Sequence, residues 1–101
     1  MRAISIKPDE KIVEVIELSE SMADVAAEME GPAMLVHCLP NGSRLYAVLG
    51  AAGCASFSLG GCAPVVGRGL IIGKRGPFGL YRSTHTDELA VAGITRFLAR
   101  P

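Results

Sequence analysis

The chain has no tryptophan, and its 101 residues include only three phenylalanines and two tyrosines. A core built from it must rest on aliphatic side chains. Cysteines are few and odd in number (Cys38, Cys54 and Cys62). That argues against a stapled secreted scaffold, and reduced thiols packed as small hydrophobes are expected. The histidines and cysteines show neither CxxC nor HxxxH spacing, so no metal site is expected, and nothing calls for a cofactor. Residues 45–67 lack charge, yet Gly50, Gly53, Gly60, Gly61, Gly67, Ser56, Ser58 and Pro64 interrupt them. A membrane span wants about 20 predominantly apolar residues, so none is expected. Arg2 precedes only a short apolar stretch before Lys7-Pro8-Asp9-Glu10-Lys11, too short for a secretory h-region. These absences lead to the expectation of a cytoplasmic protein.

What is present is a full aliphatic supply. Half the residues are hydrophobic and 20% are charged, a balance that excludes wholesale disorder. The length fits one domain, residues 1–101, able to bury somewhat over ~60% of its unfolded surface without a disulfide or metal. A multidomain enzyme, a repeat array and a coiled coil are excluded.

The formal net charge is zero, but the charges are sorted along the chain. Residues 1–30 hold Arg2, Lys7 and Lys11 against Asp9, Glu10, Glu14, Glu17, Glu20, Asp24, Glu28 and Glu30. Residues 31–86 hold no acid, while Arg44, Arg68, Lys74, Arg75 and Arg82 lie there. Such asymmetry points to an electrostatic partner, unless the two halves lie side by side and their fields cancel.

Arg2–Lys7 reads as a strand and Lys11–Leu18 as a second, rich in β-branched residues, joined by the turn Pro8-Asp9-Glu10. Met22, Val25, Ala26 and Met29 form one helical stripe over about 20–30. Ser21 with Asp24 is a capping-box-like start, Ser19 a rival cap, and Gly31-Pro32 a stop. Asn41-Gly42 between Ala33–Cys38 and Arg44–Leu49 is a strong hairpin signal. Residues 50–63 read as a loop with a short strand around Ala55–Ser58, or as a place where another backbone approaches closely. Val65–Ile72 reads as one strand marked by Gly67 and Gly69, followed by a basic turn at Gly73–Gly79 and a return at Leu80–Arg82. A final helix over about 86–99, capped by Thr84 or Thr86, would bury Ala90, Ile94, Phe97 and Leu98. The expected class is α+β: a mainly antiparallel sheet of five to six strands with two helices.

Motifs for chemistry fall short. Gly73-Lys74 lacks the leading glycine and the following hydroxyl of a phosphate loop, and Gly67-x-Gly69 continues into Ile72, so the dinucleotide fingerprint fails too. His37 and Cys38, neighbours on a strand, point to opposite faces and cannot pair. Ser83, His85 and Asp87 read as helix capping rather than a triad. Two charged sets remain. Glu14, Glu17, Glu20, Asp24 and Glu28 form an acidic face; Arg44, Arg68, Lys74, Arg75 and Arg82 form a basic one, whose arginine forks suit phosphates or carboxylates. Phe78 and Tyr81 lie near the basic set as stacking candidates.

The opening Met1-Arg2-Ala3-Ile4-Ser5-Ile6-Lys7-Pro8, the Val/Ile-Glu strand, the acidic helix ending at Gly31, the run Ala63-Pro64-Val65-Val66-Gly67-Arg68-Gly69-Leu70-Ile71-Ile72-Gly73 and the closing Thr84-x-Thr86-Asp87-Glu88 resemble a family of small uncharacterised domains. Phages, plasmids and related mobile elements encode them. The family has no assigned catalytic residues, so none carries over. The chain departs from the family in the Gly, Ala and Cys content of 39–62 and in its basic Lys74-Arg75 turn. The resemblance implies an accessory protein of a mobile element, acting in a bacterial cytoplasm.

The expected function is therefore non-enzymatic: binding and inhibition of a host protein or nucleoprotein, such as a CRISPR effector, by the acidic face imitating phosphate or by the basic face. The alternative is a nucleotide- or phosphate-binding module using residues 68–82, and a third reading is an enzyme built on a cysteine thiolate. Residues 50–63 would be an apolar patch suited to self-association as a homodimer if exposed, and part of the core if packed inside.

Overall fold

The computed structural model describes residues 1–31, 33–48, 55–74 and 82–98. Strands β1 (Arg2–Lys7) and β2 (Ile12–Glu17) form the expected antiparallel hairpin. Helix α1 (Met22–Met29) starts at Ser21, whose hydroxyl accepts from the Asp24 amide. Ser19 is not the cap; its hydroxyl accepts from the Ser21 amide. At the other end Glu30, rather than the glycine, takes the left-handed conformation, and the Gly31 amide reaches the Ala26 carbonyl. Gly31 instead supplies room: a Cβ there would sit 3.0 Å from Val48 Cγ1.

β3 (Met34–Cys38) and β4 (Arg44–Ala47) make the second hairpin, with Gly42 at φ +90 in the turn. β5 (Ser56–Leu59) follows, then β6 (Val65–Val66) and β7 (Gly69–Ile72). The single strand expected over Val65–Ile72 is thus broken. Gly67, at positive φ and buried, turns the chain out of one sheet and into the other. The expected final helix is also only half right. α2 (Glu88–Ile94) is capped by Asp87, not by a threonine, and gives way at once to β8 (Thr95–Leu98). Gly93 and the β-branched Ile94 and Thr95 are poor helix formers. The Thr95 hydroxyl bonds back to the Val91 carbonyl, and β8 finds a partner in β5. Val91, not Ala90 or Ile94, is the buried residue of α2; Phe97 and Leu98 lie on the strand. Of the expected return at Leu80–Arg82, only Arg82 lies within the described residues, outside any strand, its carbonyl accepting from the Gly73 amide.

The class is α+β, with eight described strands in two sheets rather than five or six in one. The larger sheet runs β2-β1-β7-β4-β3, the smaller β6-β5-β8, and every pairing is antiparallel. Period-two alternation divides the larger sheet's side chains between its faces. On one face Ala3, Leu70, Ile72 and Tyr46 receive Val25 and Met29 of α1. On the other, Ile4, Ile6, Leu45 and Ile71 receive Phe57 and Leu59 of the smaller sheet and Val91 of α2. Each fully buried side chain of this size contributes about 2 kcal/mol of transfer free energy. Gly69 permits the close approach of the sheets: a Cβ there would fall 2.5 Å from Phe57 Cζ.

Candidate functional site

The acidic candidates do not share one face. Glu14 stands opposite Ser5 and Glu17 opposite Arg2, so they project from opposite faces of the edge strand β2. Both are engaged. Lys7 Nζ lies 2.9 Å from Glu14, and the N-terminal ammonium lies 3.6 Å from Glu17. The Lys7 ammonium is held above its ordinary pKa first by its hydrogen bond to Glu14. Glu20, Asp24 and Glu28, four residues apart along α1 and the turn before it, make no ion pair among the described residues.

The basic candidates divide as well. Arg68, just before β7, is turned toward α1: one guanidinium nitrogen donates to the Glu28 carbonyl at 3.2 Å and the other lies 3.8 Å from Glu30. That carbonyl belongs to the helix's last turn, where the dipole favours a cation. Arg68 thus closes the helix and is spent on an internal contact. Arg44, Lys74 and Arg82 gather at the other end of β7. Arg44 pairs in register with Ile72, Lys74 follows Gly73, and the Arg82 carbonyl accepts from the Gly73 amide at 2.8 Å. None of the three has a carboxylate partner among the described residues. Arg75, Phe78 and Tyr81 lie outside the described residues.

A hydroxyl network fixes this end. Ser43 and Thr84, both buried, share a 2.8 Å hydrogen bond. Thr86 joins them at 2.9 and 3.1 Å, and Asn41 donates to Thr86 at 2.7 Å. Arg2 adds bonds to the carbonyls of Thr84 and Thr86. The β3–β4 turn and the segment before α2 are therefore locked together. Arg44 and Arg82 each adjoin this lock in sequence. Ser83 and Asp87 serve structure: the Ser83 hydroxyl accepts from the Arg2 amide and Asp87 caps α2.

A second constellation escapes the spacing rules. His37 Nε2 and Cys62 Sγ are 3.1 Å apart, and both line a cavity of about 500 Å³ between the two sheets. Val36, Leu45, Ala47, Val48, Leu59 and Val65 supply apolar walls. The register explains how His37 arrives there. Leu35 opposes Tyr46 and His37 opposes Leu45, so Val36 is the extra residue of a β-bulge. Were Val36 paired in regular alternation instead of bulged, His37 would oppose Arg44 and face α1. Bulges commonly re-aim a side chain in this way. Cys38, opposite Arg44, is exposed on the other face, as expected for a neighbour of His37. Cys54 lies outside the described residues.

A smaller cavity, about 290 Å³, is lined by Leu39, Pro40, Asn41, Leu59, Ile71, Thr86, Ala90, Val91 and Ile94. Neither cavity is lined by Arg68, Lys74 or Arg82. Among the described residues no three His, Cys, Asp or Glu are placed to hold a metal ion, and no helix is long and apolar enough to cross a membrane. No protein-family model matches the chain, and no curated protein or solved structure matches it significantly.

Proposed function

We propose that this is a non-enzymatic binding domain that engages and inhibits a host macromolecule of anionic character through the basic end of β7. The supporting observation is the gathering of Arg44, Lys74 and Arg82 around Gly73 with no carboxylate partner among the described residues. Clustered cations of this kind attract phosphate or carboxylate surfaces over distances set by ionic strength. The two described cavities are lined by other residues, and the proposed partner is a broad surface rather than a small nucleotide. The hydroxyl network that Arg44 and Arg82 adjoin in sequence ties the two backbone segments together. The resemblance to domains of mobile elements sets the context: a bacterial host cell, with a nucleoprotein as partner.

The three carboxylates of the α1 region, which make no ion pair among the described residues, favour a second reading, in which Glu20, Asp24 and Glu28 meet a cationic groove. Pull-down from bacterial lysate with two variants separates the readings. Arg44→Glu/Arg82→Glu should lose the captured partner, and the wild-type complex should dissociate steeply with added salt. Glu20→Lys/Asp24→Lys should retain it. The reverse pattern selects the acidic stripe. Unchanged capture by both variants refutes electrostatic docking.

A further inference from the structure

We propose that Cys62 is a nucleophilic modification site, with His37 as its base, that accepts an acyl group from an apolar activated thioester. Three features converge on it. The thiol and imidazole are within hydrogen-bonding reach at 3.1 Å, the arrangement that activates a cysteine by passing its proton to an adjacent base. Both groups line the same cavity, whose volume of about 500 Å³ lies within the range of small-molecule sites. The pairing also depends on the bulge at Val36, an irregularity that costs a ladder position and turns the imidazole toward Cys62.

The walls select the ligand class. Beside His37, the lining is aliphatic or small, with no lysine, arginine, aspartate or glutamate among the described residues. Among the described lining residues a phosphate or carboxylate would find no lysine or arginine, whereas an alkyl chain would displace water from aliphatic walls. The reacting head must then be a carbon electrophile. In the step, the Cys62 sulfur attacks the acyl carbon as His37 takes the thiol proton. A new carbon–sulfur bond forms, the carrier's carbon–sulfur bond breaks, and the imidazolium returns the proton to the departing thiolate. No oxidant or reductant is needed.

The test incubates the full chain with acyl-coenzyme A of increasing chain length and follows adducts by intact mass and peptide mapping. Cys62 should be acylated in preference to the exposed Cys38, and faster as the chain lengthens. His37→Gln should slow the reaction by at least ~10-fold, since general-base assistance contributes typically 10²–10⁴. Cys38→Ser should leave the rate unchanged. Iodoacetamide, which needs no cavity, checks the dyad separately: His37→Gln should slow its reaction at Cys62 as well. Adducts on Cys38 alone, rates independent of chain length, or a His37→Gln rate equal to wild type would each overturn the proposal.

Discussion

At the start of β7, Arg68 donates to a helix carbonyl and leans on Glu30; past its end, Arg44, Lys74 and Arg82 surround Gly73 without a carboxylate among the described residues. The two positions are separated by roughly 20 Å of extended backbone. They have the same residue chemistry and, in the sequence, the same standing as members of an acid-free segment. Their neighbours separate them. One end abuts the last turn of α1, where carbonyls lack helical partners. The other abuts a turn and a loop whose polar groups satisfy one another. An arginine is therefore a site or a strut according to what folds against it.

Glycines at the two ends offer the largest test of this contrast. A Cβ at Gly73 would fall 2.3 Å from the Ser83 carbonyl oxygen, and backbone cannot swing aside as a side chain can. Gly73→Ala should cost about 3 kcal/mol in urea unfolding. It should also displace Arg82 and weaken partner capture. Gly69→Ala meets the Phe57 ring, which can shift, and should cost about 1–2 kcal/mol with capture unchanged. Equal losses at both positions would break the distinction between the ends.

Arg68→Ala comes next. It removes a charge-assisted hydrogen bond to the Glu28 carbonyl and the Glu30 contact, so stability should fall by about 1 kcal/mol while binding persists. Loss of capture without loss of stability would move Arg68 into the binding set. Arg44→Glu and Arg82→Glu should show the opposite pattern, with stability within about 0.5 kcal/mol of wild type and capture abolished.

The smallest effect concerns the Lys7–Glu14 pair. Because folding raises the Lys7 pKa, its contribution is fully present below the ordinary lysine value and is lost as pH rises through the folded one. Glu14→Gln should lower the urea midpoint slightly at neutral pH, as expected for an exposed pair. The gap to wild type should close in strongly alkaline buffer. A gap that persists there would mean Glu14 acts by packing rather than charge.

Much of the fold was legible locally. Asn41-Gly42 announced its hairpin, and the stripe of Val25 and Met29 with Ser21 announced α1. Where the reading failed, the deciding partner lay far away in the chain. Thr95–Leu98 continues a helical pattern in isolation, but pairs with β5 some forty residues earlier. Val65–Ile72 looks like one strand because nothing local says that its halves belong to different sheets. The candidate sites divide in the same way. The basic residues were visible as composition, but which of them are free depended on α1. The His37–Cys62 pair spans 25 positions and matches no spacing rule. Even the alternation of β3 misplaces the imidazole, since the rule holds only until Val36.

That extra residue acts as a phase switch. Everything after it on β3 reads out on the side opposite to the one simple counting assigns. Drawing Val36 into regular register opposite Leu45 would exchange the positions of ring and thiol: His37, then opposite Arg44, would turn toward α1 and Cys38 inward, whereas deleting Val36 would restore an unbroken ladder and keep His37 opposite Leu45. Two proteins differing only in whether that residue is bulged or paired could share a fold while presenting different chemistry to the same cavity.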